Sequence, residues 1–206
     1  YPAPMPVTDS WRRIALLDEY TSVEGRYGPS PIFQSGVSPY TDEGGEIVIS
    51  DGVPTLVGEH GPRFLLTIPT TPMPAAGYPV VLYAHGTGGD YASFEDDGTA
   101  RELATVGYAG MGIDQVLHGP RDPTGSDPDF AVFNFQNVVA ARANFQQGAL
   151  DDFQLVRLPA LPQLPDHLGQ ADGHPPAGVG GHGGGDEAVG LLVLQEEDGG
   201  GVVHCS

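Results

Sequence analysis

The chain has 206 residues, 27 of them acidic and 8 basic, for a formal net charge of −19. All eight basic residues are arginine, which excludes a Walker A phosphate loop, a Schiff-base lysine and a kinase-type lysine. The charge argues against nucleic acid and anionic membranes, and the one cysteine, Cys205, excludes an internal disulfide framework or a cysteine-based zinc site.

The length fits one domain. Residues 1–44 carry Pro2, Pro4, Pro6, Pro29, Pro31 and Pro39, and are expected to form an extended arm laid over the surface. Glu46–Ser50 and Arg63–Ile68 read as a pair of strands. Pro79–His85 is apolar nearly throughout, as in a strand buried on both faces. Ser93–Val106 reads as a helix, started by Ser93 with Asp96 or by Asp97 and ended by Gly107. Tyr108–Ile113 returns as a strand with Asp114 at its end. Ala131–Leu158 reads as a longer helix whose apolar stripe is Phe135, Val138, Phe145, Ala149, Phe153 and Val156. Arg142 interrupts that stripe, and Gly148 is a candidate break.

The character of the chain changes near Arg157. The eight Tyr, eight Phe and one Trp all lie between Tyr1 and Phe153, whereas four of the seven histidines follow it. A core usually draws on aromatics throughout its length. The remainder therefore reads as a linker and tail, a degenerate segment, or a product that has left its reading frame. No run approaches the ~18 apolar residues of a membrane span. The chain opens on Tyr1 and so reads as a mature or excerpted product, which favours a secreted or periplasmic setting over a cytoplasmic one.

The most informative segment is His85-Gly86-Thr87-Gly88-Gly89, directly after the buried strand. Three glycines in five residues let backbone N–H groups turn toward a bound group, as a developing oxyanion requires. This segment resembles the HGGG-type oxyanion turn of lipase- and esterase-like α/β-hydrolases. The resemblance implies that His85 anchors the turn, that the N–H of Thr87 or Gly88 faces the oxyanion, and that Gly86 and Gly89 supply backbone freedom. Helix 93–106, strand 108–113 and helix 131–158 follow in the order that family uses. Asp114–Arg121 is similar to its polar loop after the fourth strand, where His118 reads as a loop-ordering residue. Asp122, Asp127 and Asp129 match no EF-hand spacing and read as a solvated turn.

The resemblance then departs. No Gly-x-Ser-x-Gly elbow occurs. Gly181-His182-Gly183-Gly184-Gly185 stands in its place, between Ala177–Gly180, a strand candidate, and Asp186–Gln195, a candidate helix start. Gly183 would occupy the nucleophile position and Gly184 would give the second oxyanion N–H, but glycine cannot attack an ester. Asp198 and His204 have the chain order of a triad's acid and histidine, with no strands expected to position them. The half-sheet left behind is expected to expose an unpaired edge.

Two rival readings fall on the tail. Gly178-Val179-Gly180-Gly181-His182-Gly183 matches the dinucleotide fingerprint, with Glu196, Glu197 and Asp198 downstream as ribose acids. His167, His174, His182, His204 and Cys205 could collect a metal, although their spacing matches no rigid motif. The sequence thus predicts an α/β fold: an incomplete α/β-hydrolase-like sheet with a mostly parallel centre and helices on both faces. Its parts would be an arm (1–44), a core (45–157) and a divergent tail (158–206). The expected lineage is a carboxylic-ester hydrolase acting on a small ester or lipid-like substrate, without a complete triad, a cofactor or a metal. A non-catalytic fragment or binding module, and a dinucleotide-binding oxidoreductase, are the alternatives.

Overall fold

A computed structural model describes residues 1–158, 190–197 and 200–205. Its strands in chain order are β1 (Met5–Leu16), β2 (Tyr20–Gly28), β3 (Ser30–Ile32), β4 (Ile49–Ser50), β5 (Val53–Pro54), β6 (Gly58–His60), β7 (Arg63–Pro69), β8 (Val80–Ala84), β9 (Ala109–Ile113), β10 (Gly190–Glu197) and β11 (Gly200–Cys205). The helices are α1 (Ser93–Asp96), α2 (Thr99–Thr105), α3 (Pro128–Ala131) and α4 (Val138–Val156). Seven strands form one sheet in the order β1-β2-β7-β9-β8-β10-β11, and two small two-stranded sheets pair β3 with β6 and β4 with β5. The class is mixed α/β.

The expected parallel centre reduces to one ladder, β8 with β9; the other ladders of the large sheet are antiparallel. A parallel pair needs a crossover between its strands, and α1 and α2 supply one only between β8 and β9. Much of the expected arm belongs to the sheet. β1 and β2 form its edge hairpin, and Pro6 is tolerated because it lies on an edge strand. The segment 46–50 does not pair with 63–68. Ile49–Ser50 closes only on Val53–Pro54, around Asp51 and Gly52 with φ of 53° and 79°, whereas β7 lies between β2 and β9.

Alternation along β7 builds a core on each face. Phe64 and Leu66 join Val23, Tyr27, Met111 and Leu155, whereas Leu65 joins Tyr20, Tyr83, Phe94, Ala100 and Ala104. The first cluster takes in α4 and the second α1 and α2, so helices cover both faces. Phe94 is completely buried against β9, where a Cβ on Gly110 would lie 2.6 Å from its ring and one on Gly112 2.5 Å from the Tyr91 carbonyl. The glycines of β9 thus make the lane in which α1 lies.

The expected helix 93–106 is two helices. Gly98, at φ 88°, breaks it, and Asp97 Oδ1 accepts the Thr99 N–H that opens α2. Gly107 ends α2 as expected: its N–H reaches the Ala104 carbonyl, and that of Tyr108 reaches Leu103. The longer helix starts at Val138, not Ala131, because Asn134 turns at φ 35° and the Asn137 side chain caps the Ala140 N–H.

Its expected apolar stripe faces outward. Phe135, Val138, Phe145 and Phe153 are 56% to 79% exposed, Ala149 is exposed too, and only Val156 packs on the core. The inward positions include Asn144, Gln147 and Asp151, each already hydrogen-bonded. Gly148 does not break the helix; a Cβ there would stand 3.3 Å from Gln115 Oε1.

Residues 190–195, expected to begin a helix, are strand. Leu191–Leu194 form an apolar run that pairs antiparallel with β8, and Gly200–Cys205 returns beside them. The edge of β8 expected to be bare is therefore paired, which satisfies its row of backbone groups.

Candidate functional site

β8 ends at Ala84, and the chain turns through His85–Gly89 into α1. β9 ends at Ile113, and the chain runs through Asp114–His118 alongside it. The ends of these two parallel strands, with α4 beyond them, enclose a cavity of about 530 Å³. His85, Gly86 and Thr87 line one side of it, Gln115, Val116 and His118 another, and Phe145, Ala149 and Asp152 of α4 a third.

Two buried histidines lock the loops together reciprocally. His85 Nε2 accepts the Gln115 N–H at 3.0 Å, and His118 Nε2 accepts the Gly88 N–H at 3.2 Å. Each Nε2 is therefore unprotonated. Each Nδ1–H donates to a local carbonyl: His85 to Gly86 at 2.7 Å and His118 to Val116 at 2.9 Å. The rings meet edge to face with centroids 4.7 Å apart. Burial lowers both pKa values despite those carbonyls, and the neighbouring His118 adds to the effect on His85. Both are neutral acceptors with both ring nitrogens committed.

This arrangement refines the expected roles of the turn. The left-handed residue is Gly88, at φ 82°, while Gly89 allows a close approach: a Cβ there would lie 2.8 Å from Ser93 Oγ and 3.1 Å from His85 Nδ1. The Gly88 N–H is committed to His118 and the Gly89 N–H to the Gly86 carbonyl at 3.2 Å. Among the described residues no acceptor takes the Gly86 or the Thr87 N–H, so these two lining residues are the donors left for a ligand, Thr87 being the one expected from sequence. Among the described lining residues the Thr87 hydroxyl is also the only one, and there is no serine.

One polar residue of the site, Asp152, escaped sequence reasoning. Asp152 lines the cavity, with Gln115 Nε2 donating to its Oδ1 at 3.4 Å. Burial, with Asp151 adjacent, pushes its pKa up to about 6, against the opposing pull of the Gln115 hydrogen bond and of Arg121. The available signal was an acidic doublet, Asp151-Asp152, inside a helix whose stripe was read as apolar.

Behind this wall the loop after β9 is held by ion pairs. Arg63 forks onto Asp114, with Nη2 to Oδ1 at 3.0 Å, and lies 3.8 Å over the Tyr91 ring. Arg121 donates to the Asp114 carbonyl at 3.0 Å and to the fully buried Asp151. Asp122 accepts from the Thr124 and Ser126 N–H groups, which folds the acidic loop on itself. Among the described residues no group of three His, Cys, Asp or Glu side chains could hold a metal.

Gly183, Gly184, the fingerprint Gly178–Gly183, His167, His174, His182 and Asp198 lie outside the described residues. Glu196 and Glu197 end β10, and His204 and Cys205 lie on β11, the edge strand opposite β1. The tail therefore holds two strands after Gly183, where none was expected. Among the described residues no helix is long and apolar enough to cross a membrane. Comparison with protein-family models, curated proteins and solved structures finds no match to this chain.

Proposed function

We propose that the chain carries the carbonyl-binding half of an α/β-hydrolase-type carboxylic-ester site, lipase- or esterase-like, without the machinery to complete turnover. The observation that carries this reading is the Thr87 N–H, which has no acceptor among the described residues and stands beside a cavity at the carboxyl ends of a parallel strand pair. Crevices at such strand ends are where open α/β sheets bind ligands. A preorganised backbone N–H suits the oxygen of a polarised carbonyl. The order of elements after the turn, two short helices and then β9 paired parallel to β8, also supports it.

The same geometry supports the absence of turnover. No serine lines the cavity among the described residues. Neither His85 nor His118 has a free nitrogen with which to take a nucleophile's proton. Ester binding is expected without acyl transfer. With p-nitrophenyl acetate and butyrate the chain should release nitrophenol at the background rate, while phenyl acetamide, a non-hydrolysed carbonyl ligand, shifts the Thr87 amide resonance. A burst of one equivalent of nitrophenol, leaving a stable acyl-enzyme, would overturn the first half. A Thr87 resonance unmoved by a ligand that shifts other cavity residues would overturn the second.

A further inference from the structure

The cavity has a charge asymmetry that an ester site does not require. Among its described lining residues Asp152 is the only carboxylate, and there is no arginine. The surrounding wall is largely apolar, from Val116, Val132, Phe145 and Ala149. Asp151, one residue earlier on α4, points into the protein and is neutralised by Arg121, with Gln147 donating to its other oxygen at 2.8 Å. Asp152 has one long hydrogen bond, from Gln115, and unused acceptor capacity. A carboxylate so placed is costly when nothing pairs with it.

We propose that this cavity takes a small cationic amine with an apolar body, its ammonium group on the Asp152 carboxylate and its body against Val116, Val132 and Phe145. The proposal deepens the function proposed above by naming a substrate class: esters whose acyl or alcohol part carries an ammonium group. It rests on that reading for the ester and on Asp152 alone for the ammonium. Anionic ligands meet no cation in the wall. A neutral ligand of the same shape gains the apolar contact and forgoes the charge-assisted hydrogen bond.

The groups facing Asp152 set its pH behaviour. Arg121 approaches from the loop after β9, Asp151 is its neighbour on α4, and His85 and His118 stand across the cavity. Burial raises the carboxyl to about 6, so it is ionised at pH 8 and largely protonated at pH 5. An alkylammonium stays charged at both values.

The test uses the full chain and three probes of one shape, none of them an ester: benzylamine, benzyl alcohol and benzoate. Binding is followed by amide and Gln115 side-chain shifts in ¹H–¹⁵N spectra. At pH 8 benzylamine should bind on the order of tenfold more tightly than benzyl alcohol, the size expected of one hydrogen bond to a charged group. Benzoate should not bind. Asp152→Asn should abolish the amine preference, and Asp42→Asn, which changes net charge equally at an exposed site, should leave it intact. Equal affinity for amine and alcohol would overturn the proposal, as would a preference that survives Asp152→Asn. Should that variant fail to fold, the wild-type preference must shrink from pH 8 to pH 5, and a constant preference overturns the proposal. The ring signals of His85 and His118 report their own titration in the same spectra. Because no probe is an ester, amine binding succeeds or fails independently of ester recognition.

Discussion

The two faces of α4 invert the usual arrangement of an amphipathic helix. Its inward face buries Asn144, Gln147 and Asp151, while its outward face presents Phe145 at 56% and Phe153 at 61% exposure. The inward polar groups have partners suited to them. Gln147 accepts the Phe33 N–H at 2.8 Å and donates to the Pro31 carbonyl at 3.0 Å. Asn144 accepts from Gln34 at 2.8 Å and donates to the Val132 carbonyl, also at 2.8 Å. Burial along this helix follows hydrogen-bond complementarity to the 31–34 segment and to Arg121. Hydrophobicity alone would have turned the helix the other way.

The inward face breaks hardest at Asp151. Burial alone would raise its carboxyl, but Arg121, with His60 nearby, holds it below the usual carboxylate range. Asp151→Ala leaves the half-buried Arg121 without its carboxylate partner and removes one of the two acceptors of the Gln147 amide, leaving each only its backbone carbonyl. The expected loss is about 3–5 kcal/mol in urea unfolding. A loss under ~1 kcal/mol would mean that the ion pair does not hold α4 to the sheet. Because the folded pKa is depressed, the stabilisation by Asp151 is present above the ordinary carboxylate range. It fades as pH falls through the depressed value.

Asp152 sharpens the contrast with the opposite sign. Its folded pKa, raised to about 6, means that the folded state holds a proton the unfolded chain has already released at mildly acidic pH. Its contribution therefore weakens stability as pH rises through that window and stays unfavourable above it. Asp152→Asn is expected to melt higher than wild type at pH 8, with the gap roughly halved at pH 5. The difference between the two proteins is the quantity to measure, since the charge of −19 makes both respond to acid. A variant that melts lower at pH 8 would show that the Gln115 hydrogen bond outweighs burial.

The middle of the sheet, β7, β8 and β9, was legible because strands such as β7 and β8 are short apolar runs bounded by proline and glycine, and Gly107 stops α2 by local backbone geometry. The turn at His85–Gly89 was legible for the same reason. The facing of α4 was not, because Gln34 and Asn144 lie 110 residues apart in the chain and meet only once the fold exists. The reciprocal histidine lock is non-local in the same way: His85 bonds to Gln115 and His118 to Gly88, each across 30 residues. Asp152 was missed because a doublet of acids on a helix usually means a solvated face. The strand at Gly190–Glu197 was missed because its glutamates and flanking glycines also suit a helix start, and only pairing with β8 decides between them.

The smallest expected effect belongs to the outward face of α4. Among the described residues Phe153 makes no aromatic pair, whereas Phe145 packs on Phe133 at 5.9 Å between centroids. A side chain this exposed transfers little area out of water on folding, so Phe153→Ser should change unfolding free energy by under about 0.5 kcal/mol. It should also lower the binding of an apolar dye, since the exposed phenylalanines form the kind of surface such dyes select. A loss of ~2 kcal/mol or more, near that of a truly buried aromatic, would break the comparison between the two faces. It would mean that the aromatic face is covered in solution. α4 would then be buried on both sides, and the preference of its inner face for amides over phenylalanines would reflect a division of labour between two packed surfaces.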